Sequence, residues 1–196
     1  MNYCLFQGTF NPIHNAHLRI AQYVLSYFGA DKILFIPAFI PPHKNSEQEM
    51  AKHRYKMVSM AIKDNPKFDI SDIEYKRGGT SFTYLTVREL YNKLKPAGKI
   101  KFIIGSDAFK GIENWYESDK LKNLIDFIVF IRENNFSADE LDSIKRKGYN
   151  FELMPLEFED ISSTDIRNRI NTGSSIKNLV PKCVEEYIIK NELYKL

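Results

Sequence analysis

Short apolar runs alternate along the chain with segments in which apolar residues recur at helical spacing. Between Leu18 and Phe28, for example, apolar residues recur every three or four positions, which predicts a helix with one buried face. The continuous apolar runs have the length of strands that are buried on both faces of a sheet. Together with a less regular segment at residues 68–75, they predict six strands, at residues 3–6, 33–36, 68–75, 99–104, 127–131 and 151–154.

The predicted helices have recognisable starts and ends. Capping-box patterns at Ser46 and Ser137 predict two helix starts, and Pro181 suits the first position of a closing helix. Glycine often ends a helix, and predicted helices are followed by Gly29, Gly148 and Gly173. Further helices are predicted through Val87, Leu90 and Leu94, near Trp115, from Ser118 and after Ser162.

This alternation of strands and helices predicts an α/β protein. Its centre would be a doubly wound parallel sheet covered by helices on both faces. The chain contains no internal repeat, low-complexity tract or linker, so we interpret residues 1–196 as a single domain. In an open parallel sheet of this kind, ligands bind where loops follow the carboxyl ends of the strands.

Composition narrows the class of protein. No apolar run approaches the ~20 residues of a membrane-spanning helix, and the first residues lack the basic start and apolar core of a secretion signal. Cys4 and Cys183 have neither disulfide nor metal-site spacing, and we expect a cytoplasmic protein. The net charge of +3 and the scattered basic residues argue against nucleic acid as a partner.

The strongest chemical pattern runs from Gly8 to His17. It joins the first predicted strand to the first predicted helix, with Gly8 able to adopt a backbone conformation barred to other residues and Pro12 fixing the turn. The N-terminus of that helix is a natural anion site. His14 and His17 are three positions apart, so they face the same way on the first helical turn and can act together on one phosphate group.

A second pattern, at residues 161–167, caps a later predicted helix. Ser162 and Ser163 lie at its start, and Arg167 lies one turn in, where a planar guanidinium suits phosphate oxygens. Taken alone, this pattern also fits an ordinary helix cap with a surface arginine. Arg169 is the weaker candidate, because helical geometry turns it away from the face that carries Arg167.

Together the two patterns resemble the two signatures of the nucleotidyltransferase superfamily. The resemblance implies a Rossmann-like nucleotidyltransferase fold and catalytic roles for His14, His17 and Arg167. The ATP-binding residues that it implies are Gly8, Thr9, Phe10, His14, His17, Ser162, Ser163 and Arg167. Gln7 and Ala16 stand where such families usually have glycine, and each adds a side chain near the expected nucleotide.

Four further segments, at residues 41–44, 81–84, 104–107 and 115–116, resemble the bacterial nicotinate-nucleotide adenylyltransferase family. The resemblance implies that Trp115 stacks on the pyridine ring of nicotinate mononucleotide. It also implies that backbone N–H groups around Thr83 meet the ring carboxylate, with Lys44 nearby, and that Asp107 binds a ribose hydroxyl. The substrate-binding residues that it implies are Lys44, Thr83, Tyr84, Gly105, Asp107 and Trp115.

The resemblance implies transfer of the adenylyl group of ATP to nicotinate mononucleotide, which gives deamido-NAD and pyrophosphate in NAD biosynthesis. Mg²⁺ is expected to arrive with the triphosphate, because no aspartate cluster forms a dedicated protein site. The expected partners are these small molecules, with neither nucleic acid nor membrane, and a homo-oligomer is compatible with the sequence.

Three alternatives stay open. A sibling enzyme would use nicotinamide mononucleotide or phosphopantetheine as the acceptor. A non-catalytic module on the same scaffold would bind nucleotide without transferring it, because fold does not dictate function. An RNA-handling relative of the aminoacyl-tRNA synthetases is the weakest alternative, because the chain has neither the length for RNA-binding domains nor a basic stripe.

Overall fold

A computed structural model describes residues 2–42, 48–96, 98–131, 137–154 and 161–195. Within these ranges the strands form one six-stranded sheet in the order β3-β2-β1-β4-β5-β6. The strands are β1 (Tyr3–Gly8), β2 (Lys32–Pro37), β3 (Phe68–Ile70), β4 (Ile100–Gly105), β5 (Ile125–Phe130) and β6 (Phe151–Leu153). Every neighbouring pair is parallel. The predicted doubly wound α/β fold is therefore confirmed.

Helices connect the strands and cover both faces of the sheet. The helices of the described ranges are α1 (Asn15–Tyr27), α2 (Gln48–Ile62), α3 (Ile73–Arg77), α4 (Thr83–Leu94), α5 (Ser106–Phe109), α6 (Ser118–Leu121), α7 (Asp142–Arg146), α8 (Ser163–Asn171) and α9 (Lys182–Lys190). Two short 3₁₀ segments, Ile112–Asn114 and Ala138–Leu141, lie between them. Gly29 follows α1 with a φ of 61°, a left-handed conformation that costs glycine little and that ends the helix.

The two faces of the sheet carry separate hydrophobic cores. In β1, Cys4 and Phe6 belong to the core under α1, α2, α8 and α9. Leu5 belongs to the core under α3 to α7. Because side chains alternate along a strand, burial on both faces explains why the strands read as continuous apolar runs rather than as alternating ones.

The strand order reverses between β1 and β4, and the two strands separate there. β1 pairs with β2 along its whole length, as far as Gly8 and Pro37. Its pairing with β4 is confined to Cys4 with Lys101 and Leu5 with Phe102. The carboxyl ends of β1 and β4 therefore diverge, and a crevice opens at the point where ligands bind in folds of this class.

One predicted strand and several predicted boundaries are wrong. The strand predicted at residues 68–75 ends at Ile70, and α3 begins at Ile73. Ser71 makes the change of direction, because its N–H still donates to the Phe35 carbonyl of β2 while its hydroxyl accepts from the Ile73 N–H. The buried residues of this short helix are Ile73 and Glu74, a case in which tertiary packing overrides a β-like run.

Smaller differences concern helix starts. Pro181 is the N-cap residue of α9 rather than its first helical residue. Near Trp115 the chain forms a 3₁₀ segment, and α5 was not predicted. The capping box predicted at Ser46 lies outside the described residues. No helix in the described ranges has the length and apolar content needed to cross a bilayer.

Candidate active site

The turn after β1 is built around Phe10. A Cβ atom on Gly8 would lie 3.1 Å from the Phe10 ring, so the missing side chain of Gly8 is what lets the ring pack against the strand end. Phe10, not Gly8, takes the left-handed backbone conformation, with a φ of 48°. The prediction that Gly8 is needed for an unusual backbone conformation is therefore wrong. Gly8 serves the close approach of an aromatic ring, and the Asn11–Pro12 peptide bond that follows is cis.

The two predicted histidines lie side by side at the start of α1. His14 immediately precedes the helix, and His17 lies in its first turn. Their rings are stacked, with centroids 3.6 Å apart. The His14 backbone N–H donates to His17 Nδ1 at 3.2 Å, so in the neutral imidazole of His17 the proton is on Nε2. His17 therefore offers an N–H donor from the other side of its ring.

The start of α8 is hydrogen-bonded to this same turn. The Ser163 hydroxyl donates to the Pro12 carbonyl oxygen at 2.9 Å, and Arg167 Nη1 donates to the Asn11 carbonyl oxygen at 2.8 Å. Arg167 Nη2 also donates to Thr164 Oγ1 at 3.1 Å. Ser162 caps the helix by accepting the Asp165 N–H. These bonds fix the arginine beside the histidine turn.

A cleft of about 750 Å³ opens between the carboxyl ends of β1 and β4. It brings together His14, His17 and Arg167, which the sequence predicted to converge. The other predicted residues along its wall are Gly8, Thr9, Phe10, Ser162, Ser163, Thr83, Gly105, Asp107 and Trp115. The structure places these residues in one cleft, and the chemical role of each stays a prediction.

Much of the opposite wall comes from the starts of α4 and α5 and from the segment around Trp115, together with the loop after β2. Thr83 is the first residue of α4, and Asp107 lies in the first turn of α5. Trp115 follows the 3₁₀ segment and packs edge-on against Phe102, with ring centroids 6.2 Å apart. Phe82 and the half-exposed Tyr116 pack against each other at 4.6 Å and extend this wall with aromatic surface.

The cleft wall gives no support to the predictions for Tyr84 and Lys44. Tyr84 is not among the described residues that line it, and its ring instead lies near Tyr116, Arg88 and Lys120. Lys44 lies outside the described residues. The roles implied for both residues therefore have no geometric support.

The two departures from the family pattern have separate explanations. Gln7 lines the cleft, and its side-chain amide donates to the Glu74 carboxylate at 2.6 Å. The side chain is thus directed toward α3 by a specific partner. Ala16 is buried in the core below α1, where its methyl group is ordinary packing.

Residues that support the cleft from behind were not singled out in the sequence. Tyr194 donates its hydroxyl to Asn11 Oδ1 at 2.7 Å, and burial raises the pKa of that hydroxyl, so it remains a donor. Arg54, which is fully buried, donates to the carbonyl oxygens of Ala38 and Phe39. An isolated polar residue within an apolar helix face would have been the available signal for Arg54.

The chemistry available in the cleft is that of binding and positioning. Within the described residues, no three His, Cys, Asp or Glu side chains cluster in a way that could hold a metal ion. Burial raises the pKa of Cys4 to about 12, so its thiol is unsuited to act as a nucleophile. The side chains that line the cleft beside the turn are instead imidazoles, hydroxyls and a guanidinium, which suit phosphate groups.

Comparison with known proteins agrees with this architecture. The family model described as cytidylyltransferase-like matches residues 5–169, a span that includes both signature patterns. A probable nicotinate-nucleotide adenylyltransferase of Caldicellulosiruptor bescii is 40% identical over 198 residues, with all of each chain covered. A similarly named protein of Clostridium botulinum (strain Kyoto / Type A2) is 37% identical over 201 residues, again with full coverage. The chain belongs to the nicotinate-nucleotide adenylyltransferase family.

A solved structure extends the similarity to three dimensions. The nicotinic acid mononucleotide adenylyltransferase of Plasmodium falciparum complexed with NaAD superposes with a TM-score of 0.82 at 25% identity, covering 98% of this chain and 97% of that chain. The predicted family and the predicted Rossmann-like nucleotidyltransferase fold are thus confirmed.

The packing of Phe10 on Gly8 predicts a measurable loss of stability. Gly8→Ala should lower the free energy of unfolding by about 1–3 kcal/mol, the usual effect of overpacking a close contact. Urea denaturation would measure it. Gly98→Ala is the matched control, because a Cβ atom at Gly98 would have no neighbour within 4 Å. Equal losses in the two variants would contradict the close-packing explanation.

Proposed function

We propose that this chain transfers the adenylyl group of ATP to nicotinate mononucleotide, giving deamido-NAD and pyrophosphate. One observation carries the proposal: His14, His17 and Arg167 line the same cleft as Thr83 and Trp115. An adenylyltransferase must hold a triphosphate and an acceptor phosphate next to each other, and a single cleft that combines these two sets of residues meets that requirement.

The triphosphate is assigned to the side of the cleft formed by the turn after β1 and the start of α8. Support comes from the hydrogen bonds that fix Arg167 to Asn11, because a guanidinium held in place loses little freedom on binding phosphate. The Nε2–H group of His17 and the stacked ring of His14 lie beside it along the same cleft. In this proposal Thr9, Ser162 and Ser163 add hydroxyl or backbone donors.

The pyridine nucleotide is assigned to the wall formed by Thr83, Asp107 and Trp115. Support comes from α4, a helix of 12 residues that begins at Thr83, because the N-terminus of a helix carries a partial positive charge and N–H groups without partners in the helix. Such a helix end favours a ring carboxylate over a neutral amide. This favours the acid acceptor over nicotinamide mononucleotide.

The reaction then requires alignment and charge stabilisation rather than an activated side chain. An oxygen of the acceptor phosphate forms a bond to the α-phosphorus of ATP, and the bond from that phosphorus to pyrophosphate breaks. Pyrophosphate leaves with the electron pair of the broken bond. Holding the two substrates in line can lower the barrier by ~7–11 kcal/mol. The imidazoles and Arg167 would stabilise negative charge on the α-phosphate and on the leaving group.

ATP would enter as its magnesium complex, with the ion held by phosphate oxygens. The donor set of the cleft is consistent with this arrangement, because carboxylate is the ligand that Mg²⁺ prefers and Asp107 is the one carboxylate among the described residues that line the cleft. The proposed partners are the small-molecule substrates. The proposed location of the protein is the cytoplasm.

A pyrophosphate-release assay with ATP and a panel of acceptors tests the proposed function. We expect the highest kcat/KM with nicotinate mononucleotide, and a value about tenfold lower with nicotinamide mononucleotide, as for the loss of one charge-assisted hydrogen bond. Phosphopantetheine should give no turnover. A preference for the amide would assign the sibling activity, and ATP binding without pyrophosphate release from any acceptor would indicate a non-catalytic module.

Substitutions on α8 separate the catalytic proposal from a general effect on the helix. Arg167→Ala, like His14→Ala and His17→Ala, should lower kcat about 100-fold or more, as expected when a charge-stabilising donor is removed. Arg169→Ala is the matched control, because Arg169 pairs with Asp165 at 2.8 Å and is not among the residues that line the cleft. Near-normal turnover in Arg167→Ala, or equal losses in both arginine variants, would refute the assignment.

Trp115 provides a test of the acceptor site. Stacking of a cationic pyridinium ring on an indole is worth about 0.5–2 kcal/mol, so Trp115→Ala should raise the KM for nicotinate mononucleotide roughly 2- to 30-fold. The KM for ATP should change little. Steady-state kinetics with each substrate varied in turn would measure both constants, and an unchanged KM for the mononucleotide would place Trp115 among the packing residues.

A further inference from the structure

A buried carboxylate, Glu74, lies behind the wall assigned to the acceptor. It is 1% exposed and belongs to α3, a helix that contributes no residue to the cleft wall among the described residues. Burying a carboxylate is costly unless several hydrogen bonds compensate for the lost water. The partners that provide this compensation come from four separate segments.

Three of these partners are side chains. Gln7 Nε2 and Thr86 Oγ1 each donate to Glu74 Oε1 at 2.6 Å. The Ser81 hydroxyl also hydrogen-bonds to the carboxylate. Gln7 and Ser81 line the cleft, and Thr86 lies in the first turn of α4, one turn after Thr83.

The fourth partner is the backbone of the loop that follows β2. The Phe39 N–H donates to Glu74 Oε2 at 3.3 Å and to Ser81 Oγ at 2.8 Å, and the Ile40 N–H donates to Ser81 Oγ at 3.2 Å. On the other side of this loop, the guanidinium of Arg54 donates to the Ala38 and Phe39 carbonyl oxygens at 2.7 and 2.9 Å. The buried Glu74 carboxylate and the buried Arg54 guanidinium therefore bind the N–H and carbonyl groups of the same short loop.

The donors in this network require Glu74 to be an acceptor. The Ser81 oxygen accepts two backbone N–H groups, so its own proton points to the carboxylate. An ionised carboxylate has about four acceptor positions, which matches the four hydrogen-bond donors around it, and Arg77 Nη2 lies 3.9 Å from Oε1. Burial raises the pKa of Glu74, while the hydrogen bonds from Ser81 and Thr86 and the charge of Arg77 oppose that rise.

We infer that Glu74 is a positioning residue for the acceptor site, because its carboxylate ties the end of β1, the loop after β2, Ser81 and α4 into one wall. It does not touch the substrates. Its effect is to fix the start of α4 at Thr83 relative to the opposite side of the cleft. This inference rests on the proposed placement of the pyridine nucleotide at Thr83 and Trp115, and it adds a residue and a mechanism to that placement.

Glu74→Gln tests the inference, because a carboxamide keeps the shape of the side chain but has one acceptor oxygen instead of two. The KM for nicotinate mononucleotide should rise about tenfold, as for the loss of one buried charge-assisted hydrogen bond. The kcat at saturating mononucleotide and the KM for ATP should stay within about twofold of the wild-type values, since only the Gln7 bond reaches the strand that leads to the triphosphate side. A general loss of structure would not produce this split between the two substrates.

A second variant decides the matter if Glu74→Gln does not fold. Thr86→Val removes one hydroxyl donor to the carboxylate with little change of shape, and it should raise the KM for the mononucleotide about threefold. Glu89→Gln is the matched control, because Glu89 pairs with Arg77 at 3.3 Å at the outer edge of the network and is not among the described residues that line the cleft. It should leave both KM values unchanged.

The outcomes separate this inference from the proposed function. If Trp115→Ala raises the KM for the mononucleotide but folded Glu74→Gln and Thr86→Val do not, Glu74 has no positioning role. Parallel increases in the KM values of both substrates would also overturn the inference, because they indicate general loosening. If Trp115→Ala has no effect on the KM for the mononucleotide, the acceptor site itself is misplaced and the role of Glu74 is refuted with it.

Discussion

The hydrogen bonds between the start of α8 and the turn after β1 are the interaction on which the cleft depends. Ser163 and Arg167 donate to the carbonyl oxygens of Pro12 and Asn11, which are 151 and 156 positions away in the sequence. Carbonyl groups in a tight turn have no ladder partner, so donors from elsewhere satisfy them. The same bonds place the guanidinium beside the imidazoles. The hydrogen bonds that complete the turn therefore also assemble the site.

The sheet supplies the space that this contact borders. Because β1 and β4 stop pairing after Leu5 and Phe102, their last residues line a cleft instead of a ladder. Phe10 then packs on Gly8 and against Phe6, with ring centroids 5.5 Å apart, and closes the base of the turn with apolar surface. The imidazoles, hydroxyls and guanidinium of the cleft thus lie where β1 and β4 diverge, above the apolar base formed by Phe6 and Phe10.

What the sequence predicted well was local. Apolar runs and helical spacing predicted six strands in a parallel sheet, and the spacing of His14 and His17 predicted that both would face one side of the first helical turn. Such features depend on neighbours a few residues away, which a single sequence displays directly. Family resemblance then joined the two distant signatures, whose contact no periodicity could reveal.

What it missed depended on contacts between distant segments. The run that ends in Tyr75 reads as a strand, but α3 starts at Ile73 because it packs against the sheet and buries Glu74. The partners of Glu74 lie on four other segments of the chain, so its importance cannot be inferred from the residues next to it in the sequence. The role of Gly8 was likewise predicted wrongly, because it depends on the Phe10 ring, which packs where a side chain on Gly8 would begin.

The buried thiol of Cys4 allows opening of the central sheet to be measured by chemical labelling. Cys4 sits between Ile33 and Lys101 in the middle of the sheet and is 2% exposed, whereas Cys183 on α9 is partly accessible. Only thiolate reacts quickly with alkylating reagents, and burial suppresses it at Cys4. Labelling at position 4 therefore reports the departure of β1 from its neighbours. Because Cys183 is partly accessible in the folded chain, its labelling provides a reference rate within the same molecule.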